Sequence, residues 1–331
     1  MLTDAFGRDI NYLRLSLTDR CNFRCTYCMP EKMTFAPRNS LLTLQQIQIV
    51  SQAFVELGIK KIRLTGGEPL IHPEFSAVVS YLNQLDGLEN IALTTNGSKI
   101  AQQVDTLKLA KVKQVNISLD SLTPRIFSSI TRQKPEHLAS VLDGIKIASR
   151  LPNLRVRLNV VIMRGINDHE IPAMLNFAID HQCHIAFIEE MPLGKDALFE
   201  RKERTISNKE VLSRIQKMHT LIPLIQKQAL RGPANYYRMD GTQSDVGFIS
   251  PHSNNFCHQC NRIRLTRSGK LILCLGNNDT IDLKQIIETS DYPLSAAKSA
   301  ITQAMTQKPE SHIFDTPSKP QVIRFMNATG G

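Results

Sequence analysis

The sequence predicts an α/β fold built on a parallel sheet, followed by a smaller and less regular second domain. Three observations carry that expectation. Between residues 12 and 189, short β-rich runs alternate with helical patterns, a rhythm that strands joined by crossover helices produce. The stretches between the runs are long enough for such crossovers. A polar, charged stretch, GKDALFERKERTISNKE (194–210), then breaks the rhythm, which divides the chain into 1–195 and 196–331.

The elements follow in order. YLRLSL (12–17) is the first strand; Thr43 then caps TLQQIQIVSQAFVELG, whose Leu44, Ile47, Val50, Phe54 and Leu57 share one face and whose Gly58 is the stop. KIRLT (61–65), IALTT (91–95), VNISLD (115–120), VRLNVVIM (156–163) and HIAFIEE (184–190) are the remaining strands, with helical segments around 74–85, 102–110, 136–149 and 168–181 between them. Periodicity leaves a doubly wound sheet and a curved partial barrel equally open. The second domain holds the turn-rich RGPANYYRMDGTQSD, a helical tail from about 282 to 306 and a flexible NATGG ending.

The chain has 331 residues, 42% hydrophobic and 21% charged, enough for a sizeable core. No apolar run is long enough to span a bilayer, and Asp4, Arg8 and Asp9 stand where a signal peptide is apolar, so a cytoplasmic protein without a membrane partner is expected. A net charge of +10 invites a nucleic-acid reading. Against it, the basic residues are scattered, aromatics are 6% and Trp is absent, leaving few stacking platforms. A basic surface with an anionic small-molecule site is the stronger account of the charge, and no nucleic-acid partner is expected.

Seven cysteines in a reducing compartment read as metal ligands or buried small residues rather than disulfides. Cys21, Cys25 and Cys28, in SLTDRCNFRCTYCMP, are spaced C-x3-C-x2-C. Three thiolates on one loop can ligate three irons of a [4Fe–4S] cluster and leave the fourth free, whereas an electron-transfer cluster takes four. Zinc completed by a distant His, and a loop without metal, are the alternatives. The spacing, with Tyr27 before the last Cys, resembles the signature of radical S-adenosylmethionine (SAM) enzymes. That resemblance implies a partial (βα)6 barrel with the cysteine loop after the first strand and a free iron that chelates the methionine moiety of SAM. RLTGGEP (63–69) resembles the family's GGE motif, with Gly67 on the cofactor; similar carry-over puts Ser118 and Met191 on its nucleoside side and Tyr27 beside it.

A second triplet, Cys257, Cys260 and Cys274, lies in FCHQCNRIRLTRSGKLILC. Cys183 is left over and reads as a buried small residue, and His258 beside Cys257 is poorly placed to ligate with it. Two triplets at the two ends of the chain, with GPANYYR, VGFIS and NRIRL, resemble the MoaA family over essentially the whole length. The resemblance implies a GTP 3′,8-cyclase that begins molybdenum cofactor synthesis, with two [4Fe–4S] clusters, the second binding the guanine. It places Arg14, Arg63, Thr94, Arg157, Arg262 and Arg264 on the nucleotide, with Arg262 and Arg264 also in the catalytic set, and sends the terminal Gly330-Gly331 into the active site. The implied reaction is hydrogen abstraction from ribose C3′ by a deoxyadenosyl radical, then addition to C8 and reduction. A flavodoxin- or ferredoxin-like electron donor, a homodimer and transfer of the product to cyclic pyranopterin monophosphate synthase are further implications. Two stretches depart from the pattern: His72-Pro73 stands where basic residues are usual, and LGNND follows Cys274. A peptide-modifying radical enzyme and a zinc-stabilised nucleic-acid-binding protein are the rival readings.

Overall fold

The computed structural model describes residues 2–109, 111–190, 203–224, 234–250, 257–276, 280–311 and 326–329. Their strands form one twelve-stranded sheet: β1 (Tyr12–Ser16), β2 (Lys61–Thr65), β3 (Asn90–Thr95), β4 (Val112–Ser118), β5 (Arg155–Ile162), β6 (His184–Glu189), β7 (Leu221–Pro223), β8 (Ala234–Met239), β9 (Asp245–Ile249), β10 (Arg262–Leu265), β11 (Lys270–Ile272) and β12 (Thr280–Asp282). The first six run parallel in chain order. β10 then pairs parallel to β1 and β9 parallel to β6, so strands from the second half of the chain extend both edges. Antiparallel partners complete each edge, β11 and β12 on one side and β8 and β7 on the other.

The core lies between the sheet and its helices. Leu13, Leu15, Ile62 and Leu64 are fully buried on the convex face, and helix Leu44–Glu56 contributes Ile47, Val50, Ala53 and Phe54. That helix starts on a complete capping box, with Gln46 N–H donating to Thr43 Oγ1 and the Gln46 side chain accepting from Thr43 N–H. Gly58 follows its end at φ +108°, which a residue with a Cβ rarely adopts.

Two expected helices differ and one further helix is present. The segment expected at 102–110 is a 3-10 turn, Ile100–Gln103, leading into a single turn, Val104–Leu107. The tail expected as one helix is two, Leu283–Glu288 and Pro293–Met305, because Pro293 has no N–H to continue the first and takes the first turn of the second. Helix Pro124–Thr131 is additional and shares the β4–β5 crossover with His137–Ser149. The expected boundary near 195 falls outside the described residues. No described helix is long and apolar enough to cross a membrane.

Candidate active site

The loop after β1 carries Cys21, Cys25 and Cys28 as free, partly buried thiols. Helix Pro124–Thr131 holds it from one side: Arg24 N–H donates to Thr131 O at 3.0 Å, Thr26 N–H donates to Ile130 O at 2.9 Å, and Phe23 packs edge-on to Phe127 at 5.8 Å. Tyr27 donates its hydroxyl to Asp120 Oδ2 at 2.7 Å, tying the loop to the end of β4. Burial pushes the Asp120 carboxyl up to about 6.

Gly66 and Gly67 hold the loop from below. A Cβ on Gly66 would stand 2.3 Å from Thr18 O, and one on Gly67 would stand 2.2 Å from Arg20 O. Only glycine admits so close an approach, which lets Gly67 N–H donate to Thr18 O at 2.6 Å and Glu68 N–H donate to Arg20 O at 2.8 Å. Glu68 is fully buried and accepts from Leu70 N–H (3.0 Å), Thr95 Oγ1 (2.7 Å) and Asn96 N–H (2.6 Å), joining this turn to the end of β3.

The three thiols have the chemistry of a cluster ligand set. Burial pushes Cys21 and Cys28 up to about 12. Burial, Asp120 and the other two thiols push Cys25 well above its ordinary value, a repulsion that a cationic iron centre would relieve. Phe23 N–H (3.3 Å) and Asn96 Nδ2 (3.8 Å) already donate to Cys21 Sγ. The described residues contain no preformed group of three His, Cys, Asp or Glu side chains around a metal position, so the fit rests on the donor set and its loop.

Side chains alternate along each strand, and those opposite the helices face a concave lumen. On β1 and β2 these are Tyr12, Arg14, Lys61 and Arg63, with Arg14 in register with Arg63 on one side and Arg264 on the other. Lys61 Nζ and Arg63 Nη2 both donate to Gln114 Oε1 on β4 at 3.0 Å, a reach past β3 that requires strong curvature. Arg63 also donates to Tyr12 OH (2.5 Å), Leu93 O (2.9 Å) and Thr94 Oγ1 (3.3 Å). From β5, Arg157 donates to Asn159 Oδ1 (3.0 Å) and to Tyr236 OH of β8, and with Arg63 it shares the Asn116 carboxamide oxygen.

This lumen holds positive charge in excess. Arg155 and Arg238 pair with Asp245, but Arg14, Lys61, Arg63 and Arg157 have no carboxylate partner among the described residues. Buried Arg14 Nε has no hydrogen-bond partner among the described residues. Burial and Arg264 push Arg14 well below its usual range, and burial brings Lys61 down to about 8. Burial opposes ionisation of Tyr12, yet Arg63, Arg14, Lys61 and Arg262 bring its phenol down to about 6. Guanidinium and ammonium groups gathered in this way suit a multiply charged anion.

Cys257 and Cys260 lie in the turn that enters β10, with Cys260 N–H donating to Cys257 O at 3.0 Å, and Cys274 follows β11. Because Arg262 is in register with Tyr12, this triplet stands at the end of the lumen where β1 begins, and Cys21, Cys25 and Cys28 stand where β1 ends. Four residue steps from Tyr12 to Ser16 separate the ends by roughly 13 Å. Burial opposes ionisation of Cys260, but Arg262 and Lys308 hold its thiol below the usual range. Cys274 is pushed up by burial. This set, too, fits a thiolate-bound cluster.

Of the expected site residues, the structure gathers Arg14, Arg63, Thr94, Arg157, Arg262 and Arg264 along the lumen and puts Tyr27, Gly67 and Ser118 at its first-triplet end. Met191, Gly330 and Gly331 lie outside the described residues. Cys183 is fully buried in the core. His72 accepts from Glu74 N–H at 3.2 Å and ends the short turn Pro69–Ile71. Sequence reasoning missed Tyr12, Lys61, Gln114, Asn116, Glu68 and Asp120. The signal for the first four was the alternation itself, since polar residues at every second position of a doubly covered strand are anomalous.

Comparison with known proteins agrees with this arrangement. The radical SAM superfamily model matches residues 15–178 and the molybdenum cofactor synthesis C model matches residues 183–314. A GTP 3′,8-cyclase of Marinobacter nauticus is 46% identical over 330 residues, covering 100% of this chain and 98% of that one. The chain belongs to the GTP 3′,8-cyclase family of radical SAM enzymes. Other relatives in the family include a GTP 3′,8-cyclase of Ectopseudomonas mendocina at 45% identity and a GTP 3′,8-cyclase 2 of Pseudomonas aeruginosa at 44%, each covering 100% of this chain and 98% of the relative. Among solved structures, SuiB of Streptococcus suis superposes with a TM-score of 0.61 at 12% identity, covering 96% of this chain and 76% of that one, a likeness of fold. The family implies SAM and a [4Fe–4S] cluster as cofactors, and Cys21, Cys25 and Cys28 are the residues here whose donor chemistry fits that cluster.

Proposed function

We propose that the chain cyclises GTP to 3′,8-cyclo-7,8-dihydroguanosine triphosphate, the first step of molybdenum cofactor synthesis. The observation that carries this reading is a lumen, between two thiol triplets at opposite ends of β1, in which Arg14, Lys61, Arg63 and Arg157 have no carboxylate partner among the described residues. Cys21, Cys25 and Cys28 hold the first cluster, and Gly67, Tyr27, Ser118 and Met191 contact SAM. When bound there, the cluster and SAM would supply radical chemistry, with ribose C3′ of GTP as the position to be presented to it.

Arg14, Arg63, Arg157, Arg262 and Arg264, with Thr94, hold GTP, with guanidinium groups gripping the phosphates in bidentate fashion. Each such contact is worth roughly 1.5–3 kcal/mol, and the like-charge repulsion it relieves adds to that. Cys257, Cys260 and Cys274 would hold a second cluster, at the end of the lumen that would take the guanine. The nucleotide then spans the lumen with its ribose toward SAM, and the catalytic gain is largely positional. Asn327 supports a tail that reaches the first site: its Nδ2 donates to Asp19 O at 3.1 Å and its N–H reaches the Cys28 thiol, bringing the residue three places before Gly330 against the cysteine loop. The boundary at 195 divides the radical-forming part from the part that carries the second triplet. In the same reading the enzyme is a cytoplasmic homodimer. It takes electrons from a flavodoxin- or ferredoxin-like donor and passes its product to cyclic pyranopterin monophosphate synthase.

The test is anaerobic reconstitution, followed by incubation with reductant, SAM and either GTP or a panel of peptides. GTP-dependent 5′-deoxyadenosine with one equivalent of cyclised nucleotide is expected. Deoxyadenosine formed only with peptides, or zinc without sulfide in the reconstituted protein, overturns the reading.

A further inference from the structure

The second triplet is drawn from two places, the turn at Cys257 and Cys260 and the end of the hairpin at Cys274, which the antiparallel β10–β11 pairing brings to the same end of the sheet. Two cations outside the triplet add further ties, and one of them reaches the Cys257 arm. Residues 2–10 form a closed loop, with Ile10 N–H donating to Leu2 O at 2.8 Å and Asp4 N–H donating to Arg8 O at 3.1 Å. Within it, the fully buried Asp4 carboxylate accepts from Arg8 Nε at 2.6 Å. Seated there, the Arg8 guanidinium donates to Cys257 O (2.8 Å), Glu310 O (2.7 Å) and Pro309 O (2.7 Å). Lys308, 2% exposed, donates to Leu273 O at 2.6 Å and to Cys260 Sγ at 3.8 Å.

Segment 308–310 is therefore tied to both parts of the triplet, by Arg8 to Cys257 and by Lys308 to Cys260 and to the residue before Cys274. Burying an arginine and an aspartate is expensive unless every donor is used, and here the guanidinium collects three carbonyls from two segments remote in the chain. Such a contact adds little to fold stability but fixes one geometry.

We propose that Arg8, locked on Asp4, is the positioning residue that holds the Cys257 arm of the second triplet in ligating position, so that the N-terminal loop belongs to the second cluster's site. The inference rests on the reading of that triplet as a cluster site. Arg8 touches neither substrate nor reacting atoms, so its signature is selective loss of one cluster.

Wild type, Arg8→Gln, Arg8→Lys and Asp4→Asn are reconstituted as full chains, and iron, sulfide and the electron paramagnetic resonance of the reduced clusters are measured. Wild type is expected to hold about eight irons and Arg8→Gln about four. The SAM-responsive signal of the first cluster should be unchanged in Arg8→Gln, which also certifies a folded chain. Arg8→Lys should be intermediate, because one ammonium cannot reach three carbonyls at once. Asp4→Asn, which keeps Arg8 but loosens its seat, should release half of its iron to a chelator about tenfold faster than wild type. An Arg8→Gln protein with about eight irons, or one that loses both signals together, overturns the proposal, as does an unchanged release rate in Asp4→Asn. A wild type with only about four irons overturns the second-cluster reading itself, and the two failures are thus distinct.

Discussion

Gly67→Ala tests whether the glycine pair acts by allowing two backbones to touch. The new Cβ would lie 2.2 Å from Arg20 O, 2.5 Å from Arg20 C and 2.8 Å from Asp19 O. All three neighbours are backbone, so no side chain can swing aside, and the loop must retreat by roughly 1 Å to restore van der Waals separation. That retreat lengthens two hydrogen bonds, Gly67 N–H to Thr18 O and Glu68 N–H to Arg20 O, now 2.6 and 2.8 Å. At about 1 kcal/mol each, plus about 1–3 kcal/mol for overpacking, the cost is ~3–5 kcal/mol. It falls on the residues immediately before Cys21, so the first cluster suffers before the core does. The expected result is a first cluster that reconstitutes poorly and cleaves SAM at least tenfold more slowly. GTP affinity and the iron of the second triplet should be preserved. Electron paramagnetic resonance with and without SAM, together with iron analysis, reads both. A Gly67→Ala enzyme with a full first cluster and wild-type SAM cleavage would refute the close-approach reasoning.

Arg63→Gln removes one charge-assisted grip on a triphosphate, so GTP affinity should fall about 10- to 100-fold while guanosine affinity stays within threefold; equal losses for both ligands in calorimetry would count against a phosphate role. Tyr12 titrates near 6 because cations surround it, and a bound polyanion should raise its pKa again. GTP binding is then accompanied by proton uptake and weakens as pH rises above 6. Lys61, near 8, adds an effect of the same sign, so the Tyr12 share is the part lost in Tyr12→Phe, measured by calorimetry in buffers of different ionisation enthalpy. Glu68 is raised by burial from 4.5 to about 7, so its ~3 kcal/mol of stability is fully present below 4.5 and is lost as pH rises through about 7. Glu68→Gln orphans Asn96 N–H and should be ~1–3 kcal/mol less stable than wild type at pH 5, with the gap narrowing by pH 8 in denaturant melts.

The six central strands are legible because each is a short β-rich run between turn signals; KIRLT coincides with β2 residue for residue. Helix Pro124–Thr131 is harder to see. It is eight residues long and ends on Arg132 at φ +53°, a left-handed conformation that arginine does not announce. The pairing of β9 and β10 with the edges of the first-half sheet is invisible to periodicity, since alternation says which face a residue takes and nothing about which strand lies beside it. The cysteines and arginines of the candidate site stand out by spacing and motif. Asp120, Glu68, Arg8 and Lys308 do not, because each acts through a partner far away in sequence: Asp120 through Tyr27, Arg8 through Cys257.

The direction of β10 decides whether the two triplets can serve one ligand. Cys260 precedes β10 by one residue, and Cys21 follows β1 by four. Since β10 runs parallel to β1, with Arg262 opposite Tyr12 and Leu265 opposite Leu15, the chain enters the lumen beside one triplet and leaves it beside the other. An antiparallel β10 would have brought all six cysteines to one end, with the arginines leading away from both sets. The parallel pairing instead puts them beyond opposite ends of a strand roughly 13 Å long whose inward side chains are cationic. A mononucleotide held by its phosphates in such a lumen can face one triplet with its base and the other with its ribose. The role of the second half of the chain is therefore to supply, through β10, the far wall of the site opened by the first.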